Sequence, residues 1–221
     1  MLARLHDPLV ALLSIGLVAL LVFLVGRIEP RLPRSRFSLR KILHAVIGAV
    51  TLFFTTRFDS LGWALVPPAL FTVLNLSPRM RSSMPKLAET PAEARGLWMF
   101  PLGVCLVYAL FWNVAQRGAV LAGIAALAFA DPAAAVAGTK LGQRRFVRWA
   151  YGRTLEGSLA FFVVAGAACA AVAALVPGGP PPLRAGVGCG VAGAVAEAIS
   201  PRGFDNIAIP LAVAAAYRWL I

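Results

Sequence analysis

Four carboxylates in this chain stand where long apolar runs begin, end or are interrupted. Asp131 lies inside an apolar run, Glu156 opens the next one, Glu197 closes a later one, and Asp205 with Asn206 opens the last. Hard oxygen donors of this type suit Mg²⁺, which is held by one or two carboxylates together with substrate phosphates. Cations accompany them: Lys140 and Arg153 lie between Asp131 and Glu156, next to Thr154 and Ser158, and Arg40, Lys41 and His44 head an earlier run. Arginine grips phosphate as a planar fork and lysine as a point charge. Together these groups form a parts list for phosphoryl transfer, in which metal and cations neutralise the moving group and a carboxylate or histidine orients the attacking hydroxyl. Spacing alone does not say which residue takes which part.

Each of these residues also has a plainer reading. A carboxylate at a helix start is favoured by the dipole there, and an Asp-Asn pair at a helix start is commonly an N-cap. A lone histidine on an apolar helix is usually a packing residue, and Arg40-Lys41 ahead of an apolar run is the ordinary anchor of a membrane helix. Glu93, Arg95 and Gly96 before Trp98 and Phe100 read as a surface turn leading into an interfacial aromatic belt. The cluster from Ala128 to Ser158 argues against the plain reading. It sets an acid within an apolar run beside five basic residues, which is costly at a membrane surface without a use.

The elements that must position these groups are helices in a bilayer. The chain is 60% hydrophobic and 14% charged, with a mean hydropathy of +0.80, well beyond the roughly 45–50% apolar share of soluble domains. Its net charge of +12 comes from short loops between apolar runs, so it points to membrane orientation and anionic headgroups, not to nucleic acid. Cys105, Cys169 and Cys189 lie in apolar runs without CxxC or Cys/His spacing and read as small packing residues. The first run, 8–26, is longer than a signal-peptide core of about 7–15 residues and lacks an A-x-A cleavage site, so it is kept as a spanning helix.

A spanning helix takes about 20 apolar residues, and sometimes as few as about 17. The expected fold is therefore all-α: a single domain over 1–221, a polytopic integral membrane bundle of seven or eight transmembrane helices. The expected spans are 8–26, 42–56, 61–76, 98–113, 118–138, 157–176, 184–200 and 206–221. Interruptions at Pro67-Pro68, Pro101 and Pro132 mark backbone that neighbouring protein or a wet cavity must satisfy. Sixteen Lys and Arg fall in the first, third, fifth and seventh loops: Arg27, Arg31, Arg34, Arg36, Arg40 and Lys41; Arg79, Arg81, Lys86 and Arg95; Lys140, Arg144, Arg145, Arg148 and Arg153; and Arg202. The other loops hold only Arg57, Arg117 and Arg184. By the positive-inside rule the odd loops are cytoplasmic. All four carboxylates then face that compartment, from a plasma (inner) membrane.

Common nucleotide and hydrolase signatures are missing. Gly138-Thr139-Lys140 lacks the upstream glycine of a P-loop, and HRD, DFG, GxSxG and HExxH do not occur. Four segments nevertheless carry a resemblance. They are RKxxH at Arg40, Lys41 and His44; ExRG then FPLG from Glu93 to Gly103; DPAAAxxGxxxG then GRTxEGS from Asp131 to Ser158; and ExxSPxxxDNxxIPL from Glu197 to Leu211. In this order and over most of the chain they resemble the polyprenol kinase family, which includes phytol, farnesol and dolichol kinases and a CTP-dependent diacylglycerol kinase. The third and fourth segments are the most specific.

That resemblance implies transfer of the γ-phosphoryl group of a nucleoside triphosphate, commonly CTP with Mg²⁺, to the hydroxyl of an isoprenoid alcohol or similar lipid. It implies Asp131, Glu156, Glu197 and Asp205 as the catalytic and metal-binding set. Lys140, Arg153, Thr154, Ser158, Asn206, Arg40, Lys41 and His44 are implied on the nucleotide. The chain departs from the family where Ala130 precedes the acid in place of Gly and where Arg153 replaces Lys. Arginine keeps the charge and forks to phosphate, so the departure touches fine geometry more than the reaction. A CDP-lipid synthase is the nearest alternative, but its acidic DRxD-type run is reduced here to Asp205-Asn206. A small transporter is the alternative of another class; the halves show no clear repeat, and acids gathered at one surface fit a midplane site poorly.

Overall fold

The computed structural model describes residues 3–28, 39–78, 90–113, 116–145 and 152–221. The loop cations Arg31, Arg34, Arg36, Arg79, Arg81, Lys86 and Arg148, and the side chain of Glu93, lie outside the described residues. Among those residues the chain is all-α, with eight helices: α1 (Ala3–Ile28), α2 (Leu39–Thr55), α3 (Leu61–Leu76), α4 (Pro91–Phe111), α5 (Gly118–Lys140), α6 (Leu155–Leu175), α7 (Pro182–Ile199) and α8 (Asp205–Leu220). Four of them, α1, α4, α5 and α6, are long and apolar enough to cross a membrane.

The expected spans and the observed helices coincide to within a few residues, with one exception at α4. That helix begins at Pro91, not 98. Glu93, Arg95 and Gly96 thus lie in its first turns and not in a surface turn. Proline at the first helical position needs no N–H partner and has its φ set for a helix, which explains the early start. Pro67-Pro68, Pro101 and Pro210 sit inside continuous helices, as neighbouring helices in a bundle allow.

Helix α5 is the centre of the bundle. Every residue from Gly118 to Ala128 is buried, and α2, α4, α6 and α8 pack around it. Small residues permit this close fit, which in membranes depends on backbone approach more than on hydrophobic drive. In the α6–α7 pair, a Cβ added at Gly166 would stand 3.0 Å from the Gly186 carbonyl. Cys169 and Cys189 are buried in the same region, each with its thiol near a backbone carbonyl.

Successive helices alternate in direction, so the starts of α2, α4, α6 and α8 meet the ends of α3, α5 and α7. Asn75 near the end of α3 donates to the Leu97 carbonyl in α4 (3.0 Å). At the opposite end Asp7 accepts from the backbone N–H of Asp59 and Ser60 and from the Ser60 hydroxyl (2.9, 2.8 and 2.6 Å), satisfying donors left open at the start of α3. Arg117 there donates to the Thr55 and Phe58 carbonyls, where a cation complements the end of α2.

Candidate active site

Inside α5 the α-helical ladder widens to a π turn over Ala126–Ala130, just before Asp131 and Pro132. A π turn pairs each carbonyl with the N–H five residues on. For Leu127 that partner is Pro132, which has no N–H. The orphaned Leu127 carbonyl instead meets Nε2 of His44 from α2, at 2.9 Å. The His44 ring packs edge-to-face with Phe100 of α4, with centroids 4.5 Å apart. One missing N–H thus ties α2 to α5 and fixes the imidazole.

Asp131 follows this π turn and is 3% exposed. It does not close its helix, since α5 runs on to Lys140. Lys41, one turn from His44 on α2, reaches Asp131 Oδ2 at 2.6 Å. The other carboxylate oxygen, Oδ1, is buried without a hydrogen-bond partner, an unusual state for so strong an acceptor.

The second ion cluster centres on Arg153, in the loop between α5 and α6. Gly152 ahead of it has φ 77°, a left-handed conformation that favours glycine. The guanidinium then pairs with two carboxylates, Glu197 at the end of α7 and Asp205 at the start of α8, the latter at 2.7 Å. Burial disfavours the Arg153 charge, but Glu197 and Asp205 outweigh it and hold its pKa above the ordinary guanidinium value. Its Nε is buried with no acceptor.

The remaining polar groups hold this cluster in place. Ser158 donates to Glu197 Oε2 at 3.0 Å. Asp205 Oδ1 accepts from the N–H of Gly203 and Asn206 (3.1 and 3.0 Å), and the Asn206 amide donates to the Gly203 carbonyl (3.0 Å). Thr154 is the N-cap of α6, accepting from Gly157 N–H at 3.1 Å. Gly103 of α4 leaves room for the backbone of Asn206, and Gly96 for the Arg40 guanidinium. Through these two close approaches the second motif segment meets the first and the fourth.

A polar cavity of about 430 Å³ opens above the two clusters. Arg40, Lys41, Arg153 and Arg202 line it, with Glu197 and Asp205. Thr154 lines it as well, while Ser158 and Asn206 act from behind on Glu197 and Asp205. Four more of the expected residues do not line it: Asp131, joined to it through Lys41, and Glu156, Lys140 and His44. Glu156 accepts from the Arg144 N–H at 3.3 Å and does not line the cavity, and Lys140 is exposed in the last turn of α5. His44 faces a different cavity, described below. Arg202 and Thr139 line the polar cavity without having been singled out from the sequence for the site. In Arg202 the available signal was its place between Ser200-Pro201 and Asp205.

Among the described residues, the one group of three or more His, Cys, Asp or Glu whose donor atoms lie within 4.8 Å of one another is His6, Asp7 and Asp59, at the far end. Asp131, Glu197 and Asp205 are instead each paired with a cation, and Asp131 Oδ1, buried and outside the cavity lining, is the one oxygen of these three carboxylates without a partner. Magnesium needs only one or two carboxylates when phosphates complete its shell, and this donor set fits that requirement. No family model matches the chain, and no curated protein or solved structure matches it.

Proposed function

We propose that this chain is a lipid-alcohol kinase of the membrane, transferring the γ-phosphoryl group of a nucleoside triphosphate, CTP by the resemblance noted above, to the hydroxyl of an isoprenoid alcohol or similar lipid. The observation that carries the reading is a pair of unmet hydrogen-bonding atoms, one on Arg153, which lines the cavity, and one on Asp131, which does not line it but pairs with the lining Lys41. Arg153 Nε is a buried donor lacking an acceptor, and Asp131 Oδ1 a buried acceptor lacking a donor. A phosphate with a bound Mg²⁺ supplies both missing partners, since phosphate oxygen accepts from guanidinium and Mg²⁺ takes carboxylate oxygen. The four cations around the cavity outnumber its two lining carboxylates, as a polyanionic ligand requires.

In this reading Asp131 holds the metal, with Asp205 and Glu197 next to it, and Mg²⁺ when bound neutralises charge on the transferring group. Arg153 and Lys41 contact the phosphates, and Arg40 and Arg202 close the cavity rim. Glu197 and Asp205 fix the guanidinium plane of Arg153, while Ser158 fixes Glu197. Preorganised charges of this kind act without reorganising during reaction. The site lies at the cytoplasmic surface of the inner membrane, a placement supported by the sixteen basic residues that the sequence sets in its odd-numbered loops.

The test is purified protein in detergent with CTP labelled at the γ- or α-phosphate, Mg²⁺, and prenols. Label from the γ-position on lipid with release of CDP supports the kinase. Label from the α-position on lipid, with pyrophosphate release, establishes a cytidylyltransferase instead.

A further inference from the structure

A second cavity, about 520 Å³, lies between α1, α2, α3 and α4. Its walls are apolar along most of their length, with Val18, Ile47, Phe71 and Val104 among them. Polar groups gather at two places. Arg40 and His44 stand at the end shared with the active site, and Tyr108 stands at the far end, its hydroxyl 2.6 Å from that of buried Thr55. Arg40 lines both cavities, so the apolar one opens beside the polar one. From Gly96 to Tyr108 the α4 wall measures about 18 Å at 1.5 Å per residue. That is shorter than the roughly 30 Å hydrocarbon thickness of a bilayer, and buried Phe58 and Ala64 line the far end.

We infer that this cavity is the acceptor site, and that it takes a lipid alcohol with a single, short prenyl chain. The inference rests on the kinase reading above and adds the identity and seat of the acceptor. An occupant matched to these walls has one apolar body and one polar head, and the head lies at Arg40 and His44. His44 is suited to receive a hydroxyl. Its Nε2 faces a carbonyl, which only accepts, so Nε2 carries the hydrogen and Nδ1 of the neutral ring carries the lone pair. Nδ1 accepts the hydrogen bond of the alcohol. As the alcohol oxygen bonds to the γ-phosphorus, the bond from that phosphorus to the β–γ bridging oxygen breaks. The hydroxyl proton passes to Nδ1, and the nucleoside diphosphate leaves. A long polyprenol outruns the wall of about 18 Å, and diacylglycerol brings a second chain for which this one apolar cavity offers no separate seat.

Binding and turnover are read separately. A farnesol analogue carrying a diazirine at the chain end is photolysed with wild-type protein in nanodiscs, and the labelled peptides are mapped. Label on α2 or α4 lining residues, competed by farnesol and phytol but not by diacylglycerol or bulk phospholipid, is the expected result. Label elsewhere, or competition by phospholipid, overturns the acceptor site whether or not the protein phosphorylates lipids. Wild-type inactivity toward every alcohol with the label still in the cavity overturns the kinase reading and the transfer step alone. Ile47→Trp in α2 and Ala19→Trp in α1, both lining the cavity, are each expected to raise the KM for phytol at least tenfold with the KM for CTP unchanged; unchanged phytol KM in both refutes the seat. His44→Gln keeps a donor toward the Leu127 carbonyl but has no basic nitrogen, and it is expected to lower kcat by about 10²–10⁴-fold with probe labelling retained. Near wild-type kcat in His44→Gln refutes the role of Nδ1.

Discussion

Replacing Arg153 by alanine separates two things that this residue does, holding the fold and gripping phosphate. The guanidinium neutralises Glu197, which is 2% exposed, and Asp205, which is 8% exposed. Removing it leaves two buried carboxylates without their cation. Breaking a buried pair in this way costs about 3–5 kcal/mol, chiefly the cost of the charge left behind. That is a large part of the roughly 5–15 kcal/mol stability of a typical domain. The diagnostic comparison is therefore the double variant Arg153→Ala/Glu197→Gln. Glutamine removes one stranded charge and can still accept from Ser158. The double variant is expected to recover about 1–3 kcal/mol, a coupling of the size seen between residues in one network. Denaturation in detergent measures each protein and closes the cycle. Activity behaves differently: both variants stay inactive, because neither restores a phosphate ligand. An Arg153→Ala protein as stable as wild type, or single effects that simply add, refutes the ion cluster as described.

Other residues give independent tests. Ser158→Ala removes the 3.0 Å bond to buried Glu197 and is expected to cost about 1–3 kcal/mol, seen as a lower denaturation midpoint. Asp7→Ala leaves three donors at the far end without their acceptor and is expected to cost about 1–2 kcal/mol while leaving the KM for CTP unchanged. Asp131→Asn is expected to abolish turnover, whereas Glu156→Gln, whose side chain lies on the Arg144 amide away from the cavity, lowers it less than tenfold; the reverse order would move the site. N-ethylmaleimide is expected to leave turnover intact, because Cys169 and Cys189 are fully buried among apolar helices and the half-buried Cys105 lines neither cavity.

Helix positions were readable because apolar runs of spanning length are strong signals. The start of α4 was not: charged Glu93 and Arg95 mask a helix whose first turn rests on Pro91. Asp131 was legible as an acid in an apolar run, but its depth was not. Pro132 marked an interruption within the expected 118–138 span, but not the π turn and the His44 contact that carry the helix past it. The composition of the ion cluster was likewise only partly visible. Glu156 and Ser158 are two residues apart, yet on a helix they point in different directions, so Ser158 meets Glu197 and Glu156 meets the loop. Which carboxylate pairs with Arg153 depends on how the ends of α7 and α8 converge, and no local pattern encodes that. The apolar cavity was invisible for the same reason, being formed by four helices from separate parts of the chain.

The central claim is tested most directly by following the γ-phosphate. With purified wild-type protein, Mg²⁺, γ-labelled CTP and farnesol or phytol, the expected result is label on a lipid monophosphate in step with CDP release, lost in Asp131→Asn. Unlabelled lipid with every alcohol offered, or pyrophosphate in place of CDP, contradicts it.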